Sequence, residues 1–261
     1  MNNAWFLPKG YPRTSKHLHK RCLELLLSFA TPQGNVLDLG CGSGNALLFL
    51  DVNNIDRYVG IDHSQELITA ACRAHTAPNT LFIVDDILEC SLEGFAPFDA
   101  AICAACLHGF IPYEQAVIDK LSAAIKPQGY LFLSCAFDFD YLTGEHSIQE
   151  RVLKGMSYQY PCPEQLRVLN DFAFNRTAIL SALHDFDIVR SQRIEEPIEF
   201  ETFEDFKDWH SIIHAGLSEQ FDESIRERAL FDYYQKLYAL YCAGRYTAAY
   251  STGLMLLKKK P

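Results

Sequence analysis

One segment limits the fold of this chain more than any other. Asn35-Val36-Leu37-Asp38-Leu39 is a short apolar run with the make-up of a buried strand, and it opens directly into Gly40-Cys41-Gly42-Ser43-Gly44. Glycine tolerates backbone conformations and close approaches that a Cβ forbids, so such a turn lets a ligand come against main chain at the strand's end. The spacing narrows the ligand. A dinucleotide fingerprint needs glycine at the first, third and sixth positions of the turn. Here the glycines stand at the first, third and fifth, and the sixth position is Asn45. No Gly-Lys-Ser/Thr follows, so the turn is not a phosphate loop. Asp38, just before the turn, supplies a carboxylate that would repel a pyrophosphate and suits a ligand carrying an ammonium group.

The rest of the N-terminal half alternates apolar runs with amphipathic stretches, the sequence form of βα units on a parallel sheet. Leu18, Cys22, Leu25, Leu26 and Phe29 mark one face of a helix, with Thr14 or Ser15 as its cap. After the glycine turn, a helix is expected from about Asn45 through Leu50. Further strands are expected at 58–61, 81–84, 98–103 and 130–135. Helices are expected from Ser64, which can cap, to about His75, and near 113–125. Residues 138–175 read as irregular, with Pro161 and Pro163 among them. Then come a helix at 176–184, a strand at 186–193, a helix capped by Thr202 with Asp205 at its third position, a long amphipathic helix at 222–243, and a last strand at 252–257.

Several of these pieces fall in an order that resembles the class I S-adenosylmethionine-dependent methyltransferases. Asp38-x-Gly40-x-Gly42-x-Gly44 is similar to their first motif. Asp62 ends the second strand, where such enzymes hold the ribose hydroxyls; a carboxylate accepting two hydroxyl hydrogen bonds accounts for that residue type. Val84-Asp85-Asp86-Ile87 resembles the third motif, which implies that Asp86 accepts from the adenine amino group and that Ile87 packs on the ring. Phe98-Asp99-Ala100-Ala101-Ile102-Cys103 resembles the fourth, and Leu107-His108 its continuation. Lys126-Pro127-Gln128-Gly129 is similar to the Pro-Gly-Gly turn into the fifth strand, with Gln128 in place of one glycine. The resemblance covers about residues 35–135. It implies S-adenosylmethionine as cofactor, held by Tyr11, Asp38, Gly40, Cys41, Gly42, Gly44, Asp62, His63, Asp86, Ile87 and Cys103. His108 is the catalytic candidate, as a base, a substrate contact or a structural histidine. Tyr11 is the candidate for a ring that covers the methionine part of the donor.

The expected architecture is an α/β, Rossmann-like, seven-stranded, mostly parallel sheet with a helical cap inserted before the last strand. The whole chain reads as a single domain, with its core at about 14–137, 176–196 and 251–260 and the cap at about 197–250. The cap holds Phe200, Phe203, Phe206, Trp209, Phe221 and Phe231, either as a lid over a hydrophobic pocket or as the insertion's own core. Its layout loosely resembles small-acid carboxyl methyltransferases, so a carboxylate is one candidate acceptor beside N- and other O-acceptors. Arg13, Arg151, Arg167, Arg176 and Arg245 are candidate carboxylate clamps, because guanidinium binds carboxylates bidentately.

Charge and cysteine use bear on partners. Lys+Arg number 23 against 33 Asp+Glu, a net of −10, which disfavours nucleic-acid backbones and anionic membrane surfaces as partners. The stretch Ala104-Ala105-Cys106-Leu107 lacks the Asn/Asp-Pro-Pro-aromatic motif of base amino methylation. Asp138 and Asp140 do not complete a carboxylate set for a metal-assisted reaction, and no metal is expected. A small-molecule substrate is the expectation, with a non-catalytic cofactor-binding scaffold as the rival. Nine cysteines, an odd number, and an N-terminus without signal-peptide character read as free thiols in a cytoplasmic protein.

Overall fold

The computed structural model describes residues 13–110, 113–135, 145–160, 176–213, 215–218 and 220–261. In chain order the elements are α1 (Arg13–Leu27), β1 (Gly34–Leu39), β2 (Ile55–Asp62), α2 (Gln65–Ala74), β3 (Thr80–Val84), β4 (Phe98–Ala104), α3 (Glu114–Ala124), β5 (Ile125–Cys135), α4 (Glu145–Met156), α5 (Arg176–Ala182), β6 (Phe186–Pro197), α6 (Phe203–Ile213), α7 (Ala215–Ser218), α8 (Arg226–Cys242) and β7 (Ala249–Lys259). The seven strands form one sheet in the order β3-β2-β1-β4-β5-β7-β6. All neighbours are parallel except β7, which runs antiparallel to both β5 and β6.

Strand pleating sorts the core into two layers. Leu37 and Leu39 of β1 face one side, with Val59, Ile61, Ala101 and Leu131, under α3 and α5. Val36 faces the other, with Tyr58, Ala100, Ile102 and Phe132, under α1. The chain leaves β1 toward β2 and β3, then returns to β4 on the other flank of β1. Open α/β sheets take ligands outside the carboxyl ends of the strands at such a reversal, and here the glycine turn occupies it.

Local chemistry explains both agreements and departures. Ser64 caps α2 as expected, its hydroxyl accepting the Leu67 N–H at 3.3 Å. Thr202 and Asp205 form the expected cap of α6, with the Asp205 N–H on the Thr202 hydroxyl at 3.1 Å. Thr14 and Ser15 do not cap α1; they lie inside it. The helix expected from Asn45 is a single 3-10 turn, Asn45–Leu48. The Asp51 carboxylate accepts the Asn53 N–H at 3.1 Å and starts a second short turn, so β2 begins at Ile55. Part of the stretch read as irregular is α4. Its Leu153 and Met156 are buried, with Ile148 and Val152 packed beside them. Strands β6 and β7 are longer than expected, because they pair with each other along their whole length.

Helices α6, α7 and α8 lie between β6 and β7 in the chain. The aromatic residues there make the insertion's own core. Phe200, Phe206, Trp209 and Phe221 are buried with Tyr233, Tyr234 and Leu237 of α8 and with the apolar face of α4. Phe203 is partly buried against this cluster, and Phe231 is exposed. Among the described residues, no helix is long and apolar enough to cross a membrane.

Candidate functional site

The site is built on the last residues of β1. Gly40 and Cys41 donate their N–H groups to the Ile61 carbonyl at 2.8 and 3.0 Å, which bends the chain over the end of β2. At Gly40 a side chain has no room: a Cβ would lie 2.5 Å from the Cβ of Cys106. At Gly42 the reason is different. Its φ is +55°, which costs an L-residue, and a Cβ built there meets nothing within 4 Å. The loop therefore presents bare main chain to open space, a cradle suited to a ligand that packs on backbone.

Asp62 ties this loop to β2. Its Oδ2 accepts the Gly42 N–H at 2.9 Å and its Oδ1 accepts the Ser64 N–H at 2.9 Å. Each carboxylate oxygen has two acceptor directions, so Asp62 can brace the turn and still receive hydroxyl groups of a ligand. The neighbouring His63 side chain is 87% exposed, with Nδ1 at 3.6 Å from Oδ1 of Asp62. Sequence reasoning placed Asp62 but missed this bracing role, which depends on how the turn folds back.

Asp38 is buried beneath the loop. The Tyr58 hydroxyl, also buried, donates to its Oδ2. Burial pushes the Asp38 carboxyl up from an ordinary 3.8 to about 7; the Tyr58 hydrogen bond opposes that rise and the charge of Asp62 adds to it. Tyr58 went unremarked in the sequence. Its phenol is held well above its ordinary value, first by burial and then by the charge of Asp38. Cys41 is buried in the turn, and burial raises its thiol far above the ordinary range.

The exit of β4 closes the site from below. Ala105 adopts a left-handed backbone, φ +53°, and its N–H is held by the carbonyl and the hydroxyl of Ser134, each at 3.0 Å. That turn swings Cys106 under Gly40, where its thiol donates to the Leu39 carbonyl at 3.0 Å. Cys103 is fully buried in the apolar layer, with its sulfur 3.3 Å from that of Cys106. Both thiols are free. The hydrogen bond to Cys103, and then burial, hold Cys106 well above its ordinary value. His108 lies in the short helical turn Leu107–Phe110 that follows directly; its side chain lies outside the described residues, as does all of Tyr11.

The loop after β3 supplies the remaining rim. The Asp85 N–H bonds the Asp62 carbonyl at 3.1 Å, so this loop abuts the bracing carboxylate. Asp86 is exposed, and its Oδ1 accepts the Leu88 N–H at 2.8 Å. Ile87 is buried within the apolar layer. The structure thus brings Gly40, Cys41, Gly42 and Gly44 of the turn together with Asp38 at the end of β1 and Asp62 at the end of β2, with Asp86 on the adjoining rim. Of the candidate clamps, Arg151 and Arg245 are exposed, while the side chains of Arg13, Arg167 and Arg176 lie outside the described residues. Asp138 and Asp140 lie outside them too. Among the described residues, no three His, Cys, Asp or Glu side chains group so as to hold a metal ion.

Comparison with known proteins agrees with this layout. Residues 36–129 match the family described as "Methyltransferase domain". The ubiquinone biosynthesis O-methyltransferase of Xanthomonas campestris pv. campestris (strain B100) is 30% identical over 137 residues, 51% of this chain and 56% of that protein. The trans-aconitate 2-methyltransferase of Variovorax paradoxus (strain S110) is 31% identical over 127 residues, 48% of this chain and 47% of that protein. The chain thus spans about half the length of these curated relatives. Among solved structures, the N-methyltransferase NodS from Bradyrhizobium japonicum WM9, in complex with S-adenosyl-L-homocysteine, shares the fold. Its TM-score is 0.52 at 14% identity, covering 96% of this chain and 90% of that one. The glycine turn at the sheet's reversal, the strand order and the matched segment together assign residues 36–129 to a methyltransferase domain of the class I, S-adenosylmethionine-dependent kind.

Proposed function

We propose that the protein transfers a methyl group from S-adenosylmethionine to a small-molecule acceptor. The observation that carries this reading is the turn itself: open space over Gly42, braced by Asp62 and underlain by buried Asp38. When bound, the donor supplies an activated methyl on a sulfonium, displaced in line by the acceptor's lone pair. The protein's share is then alignment and exclusion of water. Asp62 holds the ribose hydroxyls while keeping the loop in place. Asp38, below the turn, favours the cationic amino-acid end of the donor. Asp86 accepts from the base.

The acceptor side lies toward the exit of β4 and the inserted helices at about 197–250, which we read as the specificity cap over the core at about 14–137, 176–196 and 251–260. Its rings are engaged with one another, so the cap acts as a pre-packed roof whose loops, rather than its core rings, meet the acceptor. A carboxylate acceptor, the kind named in the Variovorax relative, needs no base. For a phenol or an ammonium, His108 is the candidate to take the proton. The net charge of −10 supports a small molecule over a nucleic-acid backbone.

The test is incubation with methyl-labelled donor and a metabolite extract. A labelled product that releases methanol on mild alkaline hydrolysis identifies a carboxylate acceptor; an alkali-stable product identifies nitrogen or phenol oxygen. Tight donor binding without label transfer to any fraction would overturn the catalytic reading in favour of a scaffold.

A further inference from the structure

Lys120, on α3, reaches under the loop that follows β3. Its Nζ donates to the carbonyl oxygens of Ile87 at 2.6 Å, Leu88 at 2.9 Å and Cys90 at 2.9 Å. An ammonium has three protons, and each has a carbonyl. The loop's other bonds are short and local: Asp86 N–H to the Asp85 carboxylate and Leu88 N–H to the Asp86 carboxylate, both at 2.8 Å, Glu89 and Cys90 N–H to the Asp86 carbonyl at 3.0 and 2.7 Å, and the Cys90 thiol to the Ile87 carbonyl at 3.5 Å. Its start is joined to the strand end that carries Asp62, through the Asp85 N–H at 3.1 Å. Three carbonyl oxygens that converge on one point repel one another without a cation between them, and bonds to a charged donor are the strong kind. The turn that carries Asp86 therefore depends on Lys120 for its shape. The packing of α3 holds the anchor still, since Val117, Ile118 and Leu121 are buried in the apolar layer with Ile87 and Cys90.

We propose that Lys120 is a positioning residue for base recognition of the donor: it gathers the carbonyls of residues 87, 88 and 90 and so aims the Asp86 carboxylate at the exocyclic amino group of the adenine. This deepens the reading of the donor site given above and rests on it. Lys120 touches neither donor nor acceptor. Its loss is expected to act on which base is accepted and on donor affinity.

The experiment compares calorimetric binding of S-adenosylhomocysteine and S-inosylhomocysteine, whose base carries a carbonyl in place of the amino group. The wild-type protein should prefer the adenine ligand by about tenfold or more, the worth of a hydrogen bond to a charged acceptor. Lys120→Met should lose most of that preference. Because the preference is a ratio, partial unfolding does not mimic its loss. Should the Met variant fail to fold, Lys120→Gln, which keeps an uncharged amide donor, gives the same reading. A folded variant that binds S-adenosylhomocysteine with the wild-type preference overturns the role of Lys120, as does a wild-type protein that binds both ligands equally. A wild-type protein that binds neither overturns the donor-site reading instead.

Discussion

Replacing Asp38 by Asn tests the electrostatics under the glycine turn. The carboxyl is buried and its pKa is raised from 3.8 to about 7, chiefly by burial. A group whose folded value is raised contributes stability that is whole below its unfolded value and is lost as pH rises through the folded one. In the wild-type protein without ligand, that loss amounts to about 4 kcal/mol over the whole window, at 1.36 kcal/mol for each tenfold step in acidity. By the same relation, about 3 kcal/mol of it falls between about pH 5 and about pH 8.5. Asn has nearly the same shape, carries no charge, and can still accept from the Tyr58 hydroxyl. The variant should therefore gain on the wild type as pH rises, the difference in unfolding free energy growing by about 3 kcal/mol across that interval. Urea unfolding at the two pH values measures it, and taking the difference between proteins cancels every other carboxylate. The donor's ammonium should reverse the benefit. Binding of S-adenosylhomocysteine should strengthen toward high pH in the wild type and be weak and flat with pH in the variant. Unfolding curves that keep a constant separation from about pH 5 to about pH 8.5 would refute the argument, because they would mean that Asp38 titrates as an ordinary surface acid.

Three further changes probe separate parts of the structure. Asp62→Ala removes the acceptor of the Gly42 and Ser64 N–H groups as well as the ribose contact; donor affinity should fall by about 1.5–3 kcal/mol or more in calorimetry, and the melting temperature should fall with it. Gln128→Gly relieves a residue held at φ +65° in the turn before Gly129, and should stabilise by about 0.5–1 kcal/mol net of the extra chain entropy of glycine, read as a raised melting point with unchanged donor binding. Tyr246→Phe takes the hydroxyl from between Gln149 Nε2 at 2.7 Å and His210 Nε2 at 2.9 Å, all three residues being buried; stability should drop by about 1–3 kcal/mol while S-adenosylhomocysteine affinity holds, and a loss of affinity would show that the cap's polar centre reaches the donor.

Legibility in the sequence followed the kind of interaction that fixes each part. Strands β1, β2 and β4 were readable because buried parallel strands are continuous apolar runs, β3 because it is an apolar run too although it lies at the sheet's edge with no residue buried, and the glycine turn because its spacing is a backbone requirement. The helix expected after Gly44 failed because Ala46–Leu50 has helical composition, whereas the Asp51 carboxylate, a local hydrogen-bonding competitor, starts a new turn. Helix α4 was hidden for the opposite reason. Its apolar residues Ile148, Val152, Leu153 and Met156 make a proper stripe, but the prolines beyond its end coloured the whole stretch. The site's second tier divides in the same way. Tyr58 could have been paired with Asp38 once β1 and β2 were taken as neighbours, because the register sets Val36 beside Tyr58 and Asp38 beside Gly60, and the pleat then puts both polar residues on one face. Lys120 had no such signal. Its partners are main-chain carbonyls, which every residue owns, so nothing in the side chains of residues 87–90 marks them as its targets. A lysine on an amphipathic helix is read by default as solvated. Only the packing of α3 against the apolar layer, which brings its ammonium beneath the loop, turns that lysine into part of the site.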